Sequence, residues 1–313
     1  MHASVRAGFC IVIATAIASS ATAEDWPNGY VVAEQSKSPD AQFGILVPKE
    51  DAAISGDSGS RSADEGSTNY FADLPAHHAP GKIKDADYFE RQNHRSLFVH
   101  WRSDSRLCVA EYWGRFGADA IIVLKPRANG FDQRNIVERV HNATDAAVKS
   151  ELYIAPHFRF DGDGNIRVIA TGMDNPKQFE NVETHYALFR GTYDPRVHKW
   201  LSAAARRVDM ELHDNYDAAL QDEPEKTIFV GNKPPADFSG QLVQSDNEKA
   251  QLLDDELNHV YQTLSSTLSA AQFAQVKDDE KSWLQQLNAA SSAEAKCRLL
   301  AARIKNLQDL LWR

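Results

Sequence analysis

Cysteine is scarce in this chain of 313 residues: three occur, and Cys10 falls inside the N-terminal apolar run, leaving only Cys108 and Cys297. So few thiols exclude a fold stapled by a disulfide framework. In an oxidising compartment the remaining pair has two readings, a Cys108 to Cys297 bridge or two buried, reduced cysteines acting as small hydrophobes. Catalytic signatures are missing too. There is no HExxH, no GxSxG elbow, no SxxK pair and no cysteine beside an obvious histidine, so the sequence nominates no catalytic residue, no metal ligand and no cofactor, and an enzyme is not expected. Basic residues are in deficit, 34 Lys plus Arg against 44 Asp plus Glu for a net charge of −10. Such a surface repels phosphate backbones, and nucleic acid is not an expected partner.

The N-terminus does have a recognisable order. Met1 and His2 precede a basic Arg6, an apolar stretch at 9–17, and small residues ending in Ala21, Thr22 and Ala23. That succession predicts a signal peptide over 1–23, cleaved after Ala23 to leave Glu24 at the new terminus. The apolar stretch is too short to span a bilayer. Phe9 precedes Cys10 where a lipid-attachment signal wants Gly or Ala, which argues against a lipid anchor. The expected location is therefore periplasmic or secreted, with no membrane span. The remaining length suits two ordinary domains: an α+β domain over 24–220, a linker over 221–244 and a helical domain over 245–313.

Within the first of these, short apolar runs at 30–33 and 43–47 read as strands, and 51–67, rich in Ser, Gly, Asp and Ala, reads as a loop. Runs at 97–101, 107–113 and 121–124 predict a three-stranded meander. The spacing of Ile136, Val137, Val140, Ala147 and Val148 predicts a helix over 135–152. The segments 158–160 and 166–170 flank Asp161, Gly162, Asp163, Gly164 and Asn165, a hairpin signature. A further strand pair is expected at 185–190 and 199–203, while 200–220 fits either strand or helix. In the linker, Pro224, Pro234 and Pro235 surround a small strand at 227–230.

After Gln244 there is no proline and no glycine. Leu253, Leu257, Val260, Leu264 and Leu268 recur at spacings of four and three and predict one helix, capped by Asp246. Phe273, Val276, Trp283, Leu284 and Leu287 predict a second, and Cys297, Leu300, Ile304, Leu307 and Leu311 a third. Three apolar stripes must cover one another, so a small antiparallel bundle is expected and the fold class is α+β with a C-terminal helical module.

Three features invite a chemical reading and lose to a plainer one. Asp161 to Asn165 begins like a calcium loop, but Ile166 stands where glycine is required and Gly172 where a glutamate belongs. His77 and His78 sit in a Pro-flanked loop with no cysteine nearby and read as surface residues. The acidic triplets 254–256 and 278–280 wrap around their helices and read as solvated faces.

The helical module carries Asp254, Leu257, Asn258, Tyr261 and Leu264 in the arrangement DxxLNxxYxxL, with Val276, Glu280 and Trp283 at the spacing of LxxxQxxW and Arg303, Ile304 and Leu307 closing as RIxxL. These residues resemble the LprI-type lysozyme inhibitor family of bacterial envelope proteins. The family commonly places an Arg a turn after the tryptophan and a cysteine soon after it; here Leu287 and Ala290 stand instead, and Cys297 alone remains of the expected pair. The resemblance implies a helical fold in which Asp254, Leu257, Asn258, Tyr261, Leu264, Trp283, Arg303 and Leu307 are chiefly architectural. It also implies a protein partner, lysozyme in the first instance, inhibited by occlusion of its cleft. The competing reading is an envelope structural or assembly factor whose helical module docks onto another envelope protein. In the N-terminal part, residues 38–48 resemble an SPDxxFGxLxP-like stretch of bacterial exported domains, which implies no activity.

Overall fold

The computed structural model describes residues 26–49, 68–90, 93–128, 130–177, 182–220, 228–231 and 241–313. The expected leader, the 51–67 stretch and most of the expected linker lie outside the described residues.

Three four-stranded antiparallel sheets follow one another along the chain. Sheet 1 is β1 (Tyr30–Val32), β2 (Phe43–Pro48), β3 (Thr68–Asp73) and β4 (His78–Asp87). Sheet 2 is β5 (Ser96–Trp101), β6 (Cys108–Trp113), β7 (Ala118–Arg127) and β8 (Gly130–Asn135), the expected meander with a fourth strand added. Its apolar runs are continuous because both faces are covered. Cys108, Ala110, Tyr112, Ile122 and Leu124 pack with Ile45, Val47 and Phe71 of sheet 1, whereas Val109, Ile121 and Val123 turn the other way.

On that second side lie α1 (Val137–Val148) and sheet 3, made of β9 (Tyr153–Phe160), β10 (Ile166–Met173), β11 (Tyr186–Asp194) and β12 (Lys199–Val208). Helix α1 buries Val137, Val140, Thr144 and Val148, one face at helical spacing, and ends at Lys149 in the left-handed region, φ 63°. The β9–β10 hairpin forms where expected. Asp161 Oδ1 accepts from the backbone N–H of Asp163 and of Asn165, at 3.0 and 2.9 Å, and Gly164 adopts φ +79°. The ambiguous stretch at 200–220 is both elements in turn: β12 runs to Val208, Asp209 caps the next helix through Leu212 N, and α2 spans Met210–Ala219.

The other face of sheet 3 carries the helical module. Two short parallel strands, β13 (Ile228–Val230) and β14 (Gln241–Val243), lead into α3 (Asp246–Thr267), α4 (Ala270–Asn288) and α5 (Ala293–Leu311). The first cap is Ser245, not Asp246 as expected, because the Ser245 hydroxyl accepts from Glu248 N while Asp246 already has helical backbone. Ser269 and Gln272 form a capping box at α4. All five apolar positions expected on the last helix are buried, as are Leu253, Leu257, Val260 and Leu264. The expectation fails at Leu284, which is 42% exposed, since α4 buries only Val276 and Trp283. One continuous core joins the module to Ile169 and Leu188 of sheet 3 and to Tyr216, Ala219 and Leu220 at α2.

Candidate functional site

The motif residues of the helical module gather where α4 meets α3 and α5. Leu257, Leu264, Trp283 and Leu307 are buried, and Tyr261 is half-buried against Phe273 with ring centroids 5.1 Å apart. Arg303 donates to Glu280 through two nitrogens, at 3.0 and 2.7 Å, and its guanidinium lies 5.8 Å from the centre of the Trp283 ring. Burial, with the Glu280 carboxylate nearby, pushes the Tyr261 phenol up. Asp254 and Asn258 depart from the expected packing role: both are exposed, because residues 254 and 258 fall on the side of α3 away from the stripe 253, 257, 260 and 264. The bridge between Cys108 and Cys297 is absent. Cys108 lies between sheets 1 and 2, where burial pushes its thiol well up, whereas Cys297 sits in the helical core with its sulfur donating to Asp246 O at 3.4 Å. Both behave as core residues, the second of the two readings.

A different set of residues forms a cleft of about 770 Å³, within the range of small-molecule sites. Strands β5 and β6 supply one wall, β9 and β10 the other, and α2 contributes His213 and Asp217. Phe98 and Glu111 are cross-strand partners on β5 and β6. Glu111 is buried, and its carboxylate is held by His100 Nε2 at 2.5 Å and by the indole N–H of Trp113 at 2.7 Å. Opposite, Asp217 Oδ1 lies 3.6 Å from His157 Nε2 and accepts from the Thr171 hydroxyl at 3.3 Å. The His157 imidazole, then the nearby His213, and the Thr171 hydroxyl hold the Asp217 carboxyl below its ordinary range despite partial burial.

No family model, curated protein or solved structure matches this chain.

The cleft was not visible to sequence reasoning, which singled out His77 and His78. Of those two, His77 is exposed and lies tilted against Trp26 with ring centroids 4.8 Å apart, and His78 is half-buried. The histidines beside the cleft carboxylates Glu111 and Asp217 are His100 and His157, and the signal that could have found them is alternation: 98 and 100 on β5, and 155 and 157 on β9, share strand faces. Among the described residues no group of three or more His, Cys, Asp or Glu is placed to hold a metal ion. No helix among them is long and apolar enough to cross a membrane.

Proposed function

We propose that this chain is an exported cell-envelope binding protein whose helical module engages a protein partner, and that lysozyme inhibition by occlusion of the muramidase cleft is the specific form of that activity. The leader-like N-terminus and the motif resemblance support the compartment and the partner. The observation that carries the reading is the uneven use of the module's surface. Helices α3 and α5 spend their apolar faces on each other and on sheet 3, while α4 is exposed along most of its length and carries Leu284 in water. A helix that buries only Val276 and Trp283 keeps the rest of its surface, Leu284 included, open to a partner.

The test is clearing of a cell-wall suspension by lysozyme in the presence of the mature protein. Clearing should slow as the protein is added, and Leu284→Glu should weaken the effect about tenfold, the loss of one apolar anchor. Unchanged clearing at large molar excess would overturn lysozyme as the partner and favour docking onto another envelope protein. The near balance of acids and bases after Gly240 would suit that outcome, since it gives the module no pull toward a strongly basic enzyme.

A further inference from the structure

We propose that the cleft between β5, β6, β9 and α2 binds a neutral saccharide, at a site independent of the helical module's docking surface. Two observations define the ligand. The first is an aromatic rim that no core requires: Phe98 is 48% exposed and Tyr153 45% exposed, and both line the cleft. Each is fixed by an edge contact, Phe98 on Trp113 with centroids 5.9 Å apart and Tyr153 on Phe116 at 5.3 Å. Their orientation is therefore set before a ligand arrives, at little entropic cost on binding. Flat apolar faces of this kind accept the C–H face of a pyranose ring.

The second observation is the polar lining. Glu111 and Asp217 each stand beside a histidine, so neither is a bare charge awaiting a cation. The two carboxylates outnumber the one guanidinium of the lining, Arg115, and with the net charge of the chain they disfavour phosphate or carboxylate ligands. Carboxylate and imidazole groups held in place are acceptors and donors for hydroxyl groups. A ligand with one apolar face and a hydroxyl-bearing edge satisfies both walls; a purely apolar ligand would strip the solvent from Asp217, whose side chain is 44% exposed, without replacing it.

Isothermal titration of the mature chain with cellotetraose and, separately, with tetra-N-acetylchitotetraose tests this. Saturable binding of at least one sugar is expected, and Phe98→Ala and Tyr153→Ala should each weaken it about tenfold. Both side chains are exposed, so neither variant threatens the fold, and Leu201→Ala, at an exposed position on β12 outside the cleft, should bind as the parent does. The proposal is overturned if neither sugar binds saturably, or if both aromatic variants bind like the parent.

Discussion

Glu256 and Glu280 are the third acids of two similar triplets, and both turn inward while the acids before them stay in water. Their fates differ. Glu280 meets Arg303, whereas Glu256 Oε1 is buried with no hydrogen-bond partner, and desolvation raises its pKa to about 7. The sign of the consequence follows from linkage. Below about 4.5, the ordinary value, Glu256 is neutral in the folded and unfolded chain alike and costs nothing. As pH rises from there to about 7 the unfolded chain ionises first, and its contribution to folded stability is lost progressively. Glu256→Gln should leave stability unchanged near pH 4 and raise it by about 1 kcal/mol at pH 8, the low end for an unpaired buried carboxylate because the side chain is only part-buried. Urea titrations at the two pH values check this, and an equal effect at both would refute it. Glu280, by contrast, has a partner: its pair with Arg303 is largely out of water, and Arg303→Ala would strand a carboxylate beside Trp283.

At the scale of elements, the join between sheets 2 and 3 rests on a close approach of two backbones. A Cβ at Gly117, just before β7, would lie 2.8 Å from both N and O of Ile154 on β9. Backbone atoms cannot swing aside as a flexible side chain can. Gly117→Ala should cost about 1–3 kcal/mol, as for overpacking of a tight interior, and a melting temperature equal to the parent's would show that the strands shift freely. Elements that bury a periodic face were legible in the sequence: α5 through its five apolar positions, β6 and β7 through runs covered on both sides, and the β9–β10 turn through its Asp and Gly residues. Strands β3 and β4 were not, because β4 buries only Ile83 among charges and its pairing is set by β3 and by contact with β8. The exposure of Leu284 was hidden for a related reason. Its spacing is right for a stripe, yet Trp283 next to it already fills the space facing α5. The cleft was least legible, since Phe98, Glu111, Tyr153 and Asp217 come from four elements and no local spacing relates them.

The molecule as a whole is a stack of three sheets and a helical layer, and the last interface decides whether the helical layer behaves as a separate unit. Three adjacent strands of sheet 3 each send one arginine to the end of α5. Arg159 pairs with Asp309, Arg167 donates to Trp312 O, and Arg190 donates to Leu311 O at 2.8 Å and to the Tyr216 hydroxyl at 2.6 Å. Cations at the C-terminal carbonyls of a helix satisfy acceptors that have no partner within it and complement its dipole. Gln308 adds a donation to Ala219 O at 3.0 Å, and the apolar core runs beneath without a break from Leu188 to Leu311. With so many cross-links, the helices should not melt on their own. Helical circular dichroism and tryptophan fluorescence should therefore report one coincident transition in urea. Arg190→Ala, which leaves Leu311 O and the Tyr216 hydroxyl without their charged donor, should lower the stability of that single transition by about 2–3 kcal/mol without splitting it. Two separated transitions in the parent chain would mean that the shared core contributes less than the contacts within α3 and α5, and the docking of the helical layer on sheet 3 would then be an opening interface.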